Sequence, residues 1–238
     1  MIEFYKEWHR PQALSFDLDD TLYANDEVIV AAEQYMLDHI SANYLGGALY
    51  TKSMYDEGRL RVLEIVPELV HDVSLLRFFI YQRLLLLHGS SLNKATADAM
   101  ALMQEFVRVR SQVLVPTVSC EVVRELALYY PIVALSNGNI DLRYTALKGV
   151  FLHEVRPNIN LRSKPGKEIF SVVARTLSLP CSAICHIGDN EITDVQGAVQ
   201  AGMSCIWQAG YKGAAKNLTV LPHVKITEIK ELLPLLVR

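Results

Sequence analysis

Asp17, Asp19 and Asp20 fall within four positions of one another in the stretch SFDLDDTLYAND, directly after an apolar run. Carboxylates packed this closely repel one another, and each loses hydration when buried. Such a cluster is tolerable around a hard divalent cation. Mg²⁺ takes oxygen ligands, commonly one or two carboxylates with substrate phosphate and water. Alternation along an extended chain predicts Asp17 and Asp19 on one side and Leu18 on the other. Two carboxylates so placed can divide the labour, one attacking phosphorus and the other passing protons. Farther along stand Ser136-Asn137-Gly138, Lys164, Asp189 and Asp194. An ammonium at Lys164, a hydroxyl at Ser136 and backbone N–H groups near Gly138 supply what phosphoryl oxygens need.

These residues must be brought together by the elements that carry them. ALSFDL from Ala13, PIVALSN from Pro131, AICHIGD from Ala183 and MSCIWQ from Met203 are short apolar runs that predict buried strands. LHEVRP from Leu152 and VKIT from Val224 predict two more. Between them, CEVVRELALYY follows Ser119 as an N-cap, GKEIFSVVARTL follows Pro165 as a first helical residue, and TDVQGAVQAG ends at Gly202. EIKELLPLL predicts a last helix. Strand and helix in this alternation imply an α/β fold: a Rossmann-like, mostly parallel sheet with helices on both faces. Ligands collect at the carboxyl ends of such strands, where Asp17, Ser136 and Asp189 all fall.

One region breaks the alternation. Between Tyr23 and Gln112, EVIVAAEQYMLDHI, VSLLRFFIYQRLLLL and KATADAMALMQEFVRVR predict helices only. The expectation is a core of residues 1–22 and 113–238 with an inserted α-helical cap domain at 23–112, since so long a loop without structure is implausible.

Composition narrows the class. Hydrophobic residues make up 51% and charged residues 21%, enough for a sizeable core and against disorder. The net charge of −3 gives no footprint for nucleic acid or an anionic membrane. The most apolar stretch, FFIYQRLLLL, is too short to span a bilayer and is interrupted by Gln82 and Arg83. Cys120, Cys181, Cys185 and Cys205 lack zinc-site spacing, so buried reduced thiols and a cytoplasmic setting are expected, with no signal peptide.

The residues resemble the haloacid dehalogenase-like hydrolases. DLDDT is similar to that family's first motif, DxDxT; LSNG to its second; Lys164 in RSKPGKEIF to its third; and HIGDNEITDVQGAVQAGM to its fourth, GDxxxxD. The four occur in the family's order, and the helical insert matches its cap placed between motifs one and two. The resemblance implies that Asp17 is a nucleophile forming an aspartyl-phosphate and that Asp19 is the acid/base. It implies that Ser136 and Lys164 hold the phosphoryl group, with Asn137 and Gly138 beside it. It further implies that Mg²⁺ is ligated by Asp17, Asp189 and the main-chain carbonyl of Asp19, with Asp194 supporting the site or ligating directly, and that Thr21 orders the loop. Asp20 receives no role. SNGN, RSKP, the Trp207 strand and HDVSLLRF also resemble a bacterial branch acting on FMN and on 5-amino-6-(5-phospho-D-ribitylamino)uracil. The expected partner is thus a small phosphorylated metabolite.

Other residues have plainer readings. His186 reads as a satisfied core histidine. Arg77, Arg83, Arg108 and Arg110 read as solvated or paired cap arginines, with a second substrate anion as the alternative. Tyr35, Phe78, Phe79 and Tyr81 read as cap core rather than a pocket for a flat ring. Competing functions are a broad sugar-phosphate or phosphoglycolate phosphatase, a phosphomutase, a dehalogenase and a phospho-accepting receiver domain. An alkoxide leaving group needs the proton that Asp19 offers, which disfavours dehalogenation. The long helical insert disfavours a receiver.

Overall fold

The computed structural model describes residues 1–211 and 219–237. Its strands are β1 (Glu3–Phe4), β2 (Ala13–Phe16), β3 (Ile132–Leu135), β4 (His153–Val155), β5 (Ile184–Gly188), β6 (Ser204–Gln208) and β7 (Val224–Ile226). They form one sheet in the order β1-β7-β6-β5-β2-β3-β4. Every neighbouring pair is parallel except β1 with β7. After the edge strand β1 the chain enters the parallel sheet at β2 near the middle, runs outward through β3 and β4, then returns to β5 on the other side of β2. The connections therefore diverge at the carboxyl ends of β2, β3 and β5, the usual place for a ligand crevice.

Side-chain alternation sorts the sheet's two faces. Leu14, Phe16, Ile132, Ala134, Cys185, Ile187, Ile206, Val224 and Ile226 pack into one core with α5 (Thr117–Ala127) and α8 (Leu232–Leu236). Ala13, Val133, Leu135, Ile184, Cys205 and Trp207 pack into the other with α6 (Lys167–Leu177) and α7 (Gly197–Gln200). This is the expected period of two, with apolar residues at both parities because helices cover both faces. The three-layer α/β/α expectation holds.

Between β2 and β3 the described chain contains no strand. It holds α1 (Asp26–Tyr44), α2 (Lys52–Ile65), α3 (Val73–Leu87) and α4 (Leu92–Arg110), with a 3₁₀ turn at Pro67–His71. Asp72 caps α3 by accepting from Leu75 N at 2.9 Å, and Ser91 caps α4 by accepting from Lys94 N at 3.4 Å. Ala95, Ala99, Leu102 and Phe106 recur at steps of three and four along α4 and are all buried against Met36, Ile40, Tyr81 and Leu85. The small residues let α3 approach. Each large side chain so buried contributes ~1.5–3 kcal/mol.

Several local expectations change. Ser119 does not cap α5: the helix opens at Thr117 with Pro116 before it, and Ser119 lies buried in its first turn, donating to Pro116 O at 2.9 Å. Pro116 lacks an N–H and presets the approach, so the turn forms immediately after it. Pro165 is likewise outside α6, because Gly166 N donates to Ser163 O and closes a separate turn first. Cys181 is only partly buried, while Cys120, Cys185 and Cys205 are buried. Gly202 does follow α7 with φ +84°, the left-handed position that suits glycine.

Candidate active site

β2 lies between β3 and β5, so the residues that follow these three strands meet at one edge. The ladder extends one residue past β2: Asp17 N donates to Ile187 O at 2.8 Å, which fixes the Asp17 backbone against β5. Ser136 follows β3 and Asp189 follows β5. Trp207 Nε1, from the next strand over, donates to Asp189 O at 2.7 Å and holds that loop.

Lys164 is the hub of the cluster. Its side chain is 1% exposed. Nζ donates to Asp17 Oδ1 at 2.5 Å, Asp194 Oδ1 at 2.6 Å and Leu135 O at 2.9 Å, which employs all three N–H groups. Burial opposes its charge, but the two carboxylates outweigh burial and lift its pKa above the ordinary lysine value. Burial pushes the Asp17 carboxyl well above its ordinary range, against the pull of Lys164. Asp194 is buried too, but Lys164 and the hydrogen bond with His186 prevail and hold its carboxyl below the ordinary value.

Lys164 is aimed by its backbone. Asn137 Nδ2 donates to Lys164 O at 3.0 Å, and Lys164 N donates to Asn137 Oδ1 at 2.9 Å. This reciprocal pair uses one N–H and one lone pair of the Asn137 amide to position the lysine backbone, and its second N–H remains for a phosphoryl oxygen. The Gly138 N–H donates to Ser136 Oγ at 2.9 Å. That bond leaves the Ser136 hydroxyl proton available to donate.

Asp194 sits in a π-helical turn, Glu191–Gln196, where Val195 N reaches Asn190 O five residues back at 3.1 Å. Asn190 caps the turn, its Oδ1 accepting from Ile192 N and Thr193 N, each at 3.0 Å. Asp194 Oδ2 accepts from Asn190 N at 3.0 Å. His186 Nε2 lies 3.0 Å from Asp194 Oδ1 and its Nδ1 3.1 Å from Ser15 Oγ. The ring is fully buried with both nitrogens satisfied, as the core-histidine reading expects, and it orients Asp194. Gly188 makes the approach of Asp194 possible, because a Cβ there would stand 2.4 Å from Asp194 Cγ.

The donor set suits a hard cation. Carboxylate oxygens of Asp17, Asp189 and Asp194 lie within 4.8 Å of one another. All are hard oxygen donors, the preference of Mg²⁺. Thr21 Oγ1 lies 3.3 Å from both Asp17 Oδ2 and Asp189 Oδ1, so a single hydroxyl spans the two ligand loops.

Asp19 belongs to the site but its carboxylate is held by other donors. Arg110 Nη2 and Tyr23 OH both donate to Asp19 Oδ1, at 2.6 and 2.7 Å. Its Oδ2 adjoins the Ser136-Gly138 turn, where a Cβ on Gly138 would come within 2.6 Å of it. The Asp19 carboxylate is therefore not among the clustered ligand atoms. Asp20 does have a role: at φ +58° it turns the chain, and its Oδ1 accepts from Asn25 N at 2.9 Å just before α1.

Residues 11–202 match the haloacid dehalogenase-like hydrolases. The chain belongs to that family. It is 35% identical over 240 residues to the 5-amino-6-(5-phospho-D-ribitylamino)uracil phosphatase YigB of Escherichia coli (strain K12), covering 99% of this chain and 100% of that one. A 2-haloacid dehalogenase from Pseudomonas syringae pv. Tomato DC3000 superposes with a TM-score of 0.86 at 29% identity, over 93% of this chain and 96% of the other. The HAD-hydrolase YfnB from Bacillus subtilis bound to magnesium shares the fold, with a TM-score of 0.64 at 19% identity, over 97% and 100%. The expectation of a hydrolytic enzyme of this family holds.

The helical insert of this hydrolase meets the site at two points. His71 Nδ1 lies 3.0 Å from Ser163 Oγ, next to Lys164, and Arg110 reaches Asp19. Arg110 is thus neither solvated nor paired within the insert. Arg77 is buried over the Phe106 ring at 3.7 Å and donates to Glu33 and Tyr81, both at 3.4 Å. Arg108 pairs with Glu105 on the surface. Tyr81 is buried core, whereas Tyr35 is exposed and donates to Glu105 at 2.6 Å. Phe79 and Arg83 line an apolar groove of about 420 Å³ with Val62, Leu69 and Leu86, which shares no residue with the carboxylate cluster.

Proposed function

We propose that this hydrolase is a Mg²⁺-dependent phosphomonoesterase working through an aspartyl-phosphate at Asp17. Two carboxylates in separate hands carry the reading: Asp17 against the Lys164 ammonium, and Asp19 against Arg110 and Tyr23. One serves as nucleophile and the other as proton carrier. A carboxylate oxygen of Asp17 attacks phosphorus as the ester P–O bond breaks, and Asp19 gives its proton to the departing alkoxide. Water then attacks phosphorus while Asp19 takes a proton back, releasing phosphate and restoring Asp17. Lys164 and the Ser136 hydroxyl stabilise charge on the phosphoryl oxygens. Asp17, Asp189 and Asp194, with the main-chain carbonyl of Asp19, would hold Mg²⁺, which supplies positive charge beside the nucleophile and the phosphoryl group. Residues 23–112 act as the cap over a core of residues 1–22 and 113–238. His71 and Arg110 are the contacts through which closure would exclude water.

The substrate reading is 5-amino-6-(5-phospho-D-ribitylamino)uracil, FMN or both, supported by the 35% identity to a phosphatase of that name over the whole chain. Four free cysteines accord with a cytoplasmic setting. The test is a comparison of kcat/KM for these two phosphates, phosphoglycolate and several sugar phosphates, with halide release from a 2-haloacid alongside. Asp17→Asn abolishes turnover and leaves the thermal melt intact; EDTA silences the enzyme and Mg²⁺ restores it. Halide release without phosphate release, or turnover by Asp17→Asn, overturns the proposal.

A further inference from the structure

We infer that Arg110 and Tyr23 are positioning residues for Asp19: they clamp Oδ1 so that Oδ2 is the oxygen that transfers the proton. The inference rests on the phosphomonoesterase reading. Arg110 Nη2 and Tyr23 OH donate to the same oxygen at 2.6 and 2.7 Å, which occupies both of its lone-pair directions. Oδ2 is left facing the turn that carries the Ser136 hydroxyl, as the 2.6 Å approach to a Cβ on Gly138 shows. The transferable proton then lies on the side of the group proposed to hold phosphate.

Arg110 is an unusual way to bind a cap to a core. Its side chain is 2% exposed, and its Nη1 is buried with no hydrogen-bond partner among the described residues. A buried guanidinium with one carboxylate partner and an orphaned nitrogen is an expensive tether, since desolvation offsets much of the attraction. The same junction already has a neutral tie: Ser111 Oγ donates to Val107 O at 2.6 Å and accepts from Asp141 N at 2.8 Å, pinning the end of α4 to the loop after β3. The guanidinium adds something that tie lacks, a fixed orientation of the Asp19 carboxylate, and it delivers that orientation from the last residue of α4.

Leaving-group dependence separates positioning from tethering. An alkyl phosphate expels an alkoxide that takes the Asp19 proton as the P–O bond breaks. 2,4-Dinitrophenyl phosphate expels a phenolate that needs none. In the full-length Mg²⁺-loaded enzyme, kcat/KM of Arg110→Met for FMN falls roughly 10- to 100-fold, the effect of a misplaced catalytic group, and changes less than about threefold for 2,4-dinitrophenyl phosphate. Arg110→Lys and Tyr23→Phe, which keep charge and ring respectively, give smaller losses with the same selectivity. On an Asp19→Asn background, Arg110→Met causes no further loss with FMN. Equal losses on both substrates, or losses that add to Asp19→Asn, overturn the inference and leave a tether. A wild-type enzyme inert toward both substrates overturns the phosphatase reading itself.

Discussion

Removing the Lys164 ammonium tests the centre of the site. Lys164→Met keeps the length of the side chain and deletes a charge that lies 2.5 Å from Asp17 and 2.6 Å from Asp194, both buried. Breaking a buried ion pair by removing one partner costs ~3–5 kcal/mol, because an uncompensated charge stays behind. In a chain of 238 residues each kcal/mol shifts Tm by about 2–4 °C, so the melt falls by ~6–20 °C. The loss depends on pH in a definite direction. Wild-type Asp194 has a folded pKa below its ordinary 3.8, so its contribution is present above about pH 4 and fades as pH falls through the folded value. Without Lys164 the buried Asp194 carboxyl takes up a proton more readily than in the unfolded chain. Its penalty is then absent below pH 3.8 and grows as pH rises. The variant's effect narrows the gap between pH 7 and pH 4, and the wild-type effect narrows it further only below pH 4. Urea titrations of the two proteins in EDTA at pH 7 and pH 4 measure it. A difference below ~1 kcal/mol at pH 7, or one that is unchanged at pH 4, refutes the assignment of Lys164 as the counter-charge of this cluster. Adding Mg²⁺ at 100 times its dissociation constant stabilises either folded protein by ~2.7 kcal/mol if the ion binds only the native state.

Gly188→Ala places a Cβ 2.4 Å from Asp194 Cγ, and the strand and the π-helical turn leave it no room. Overpacking of this kind costs ~1–3 kcal/mol; the expected outcome is that loss in urea together with weakened Mg²⁺ dependence, and an unaltered melt contradicts the geometry. Glu105 accepts from Arg108 Nε and Nη2 and from Tyr35 OH, bonds that hold its carboxyl down at about 2. Its contribution is present above pH 4.5 and lost as pH falls toward 2; at this partly exposed position it amounts to less than ~1 kcal/mol. Glu105→Gln therefore lowers stability slightly at pH 7 and not at all near pH 2, and a loss that is the same at both ends contradicts the assignment.

The strand-end residues were legible because their chemistry and the topology agree. Apolar runs ending in Asp17, Ser136 and Asp189 converge once the sheet is parallel and β2 is central. Lys164 was readable from its motif, but its backbone partner Asn137 was not, since a turn dipeptide carries no sign of what its amide will grip. The inward turn of Arg110 had no local signature either: four arginines in the insert read alike, and only α4 ending beside Asp19 distinguishes one. The repeating pattern along α1, α3 and α4 announced those helices. The sequence of α2 carries Gly58 and many charges and buries little beyond Val62, so its pattern was faint. β1 is two residues long and lies antiparallel to β7, too short for any alternation to show. The role of Asp20 lies in backbone conformation, which residue type alone does not reveal.

The sheet's two margins also bear on how the molecule behaves in a crowd. On one side it stops at β1, two residues running against the grain; on the other at β4, three residues with His153 and Glu154 exposed. Unsatisfied backbone along a long flat margin invites another chain to add on, and brevity and charge there discourage it. A parallel sheet that is slow to assemble thus carries its own guard against stacking with its copies while it folds.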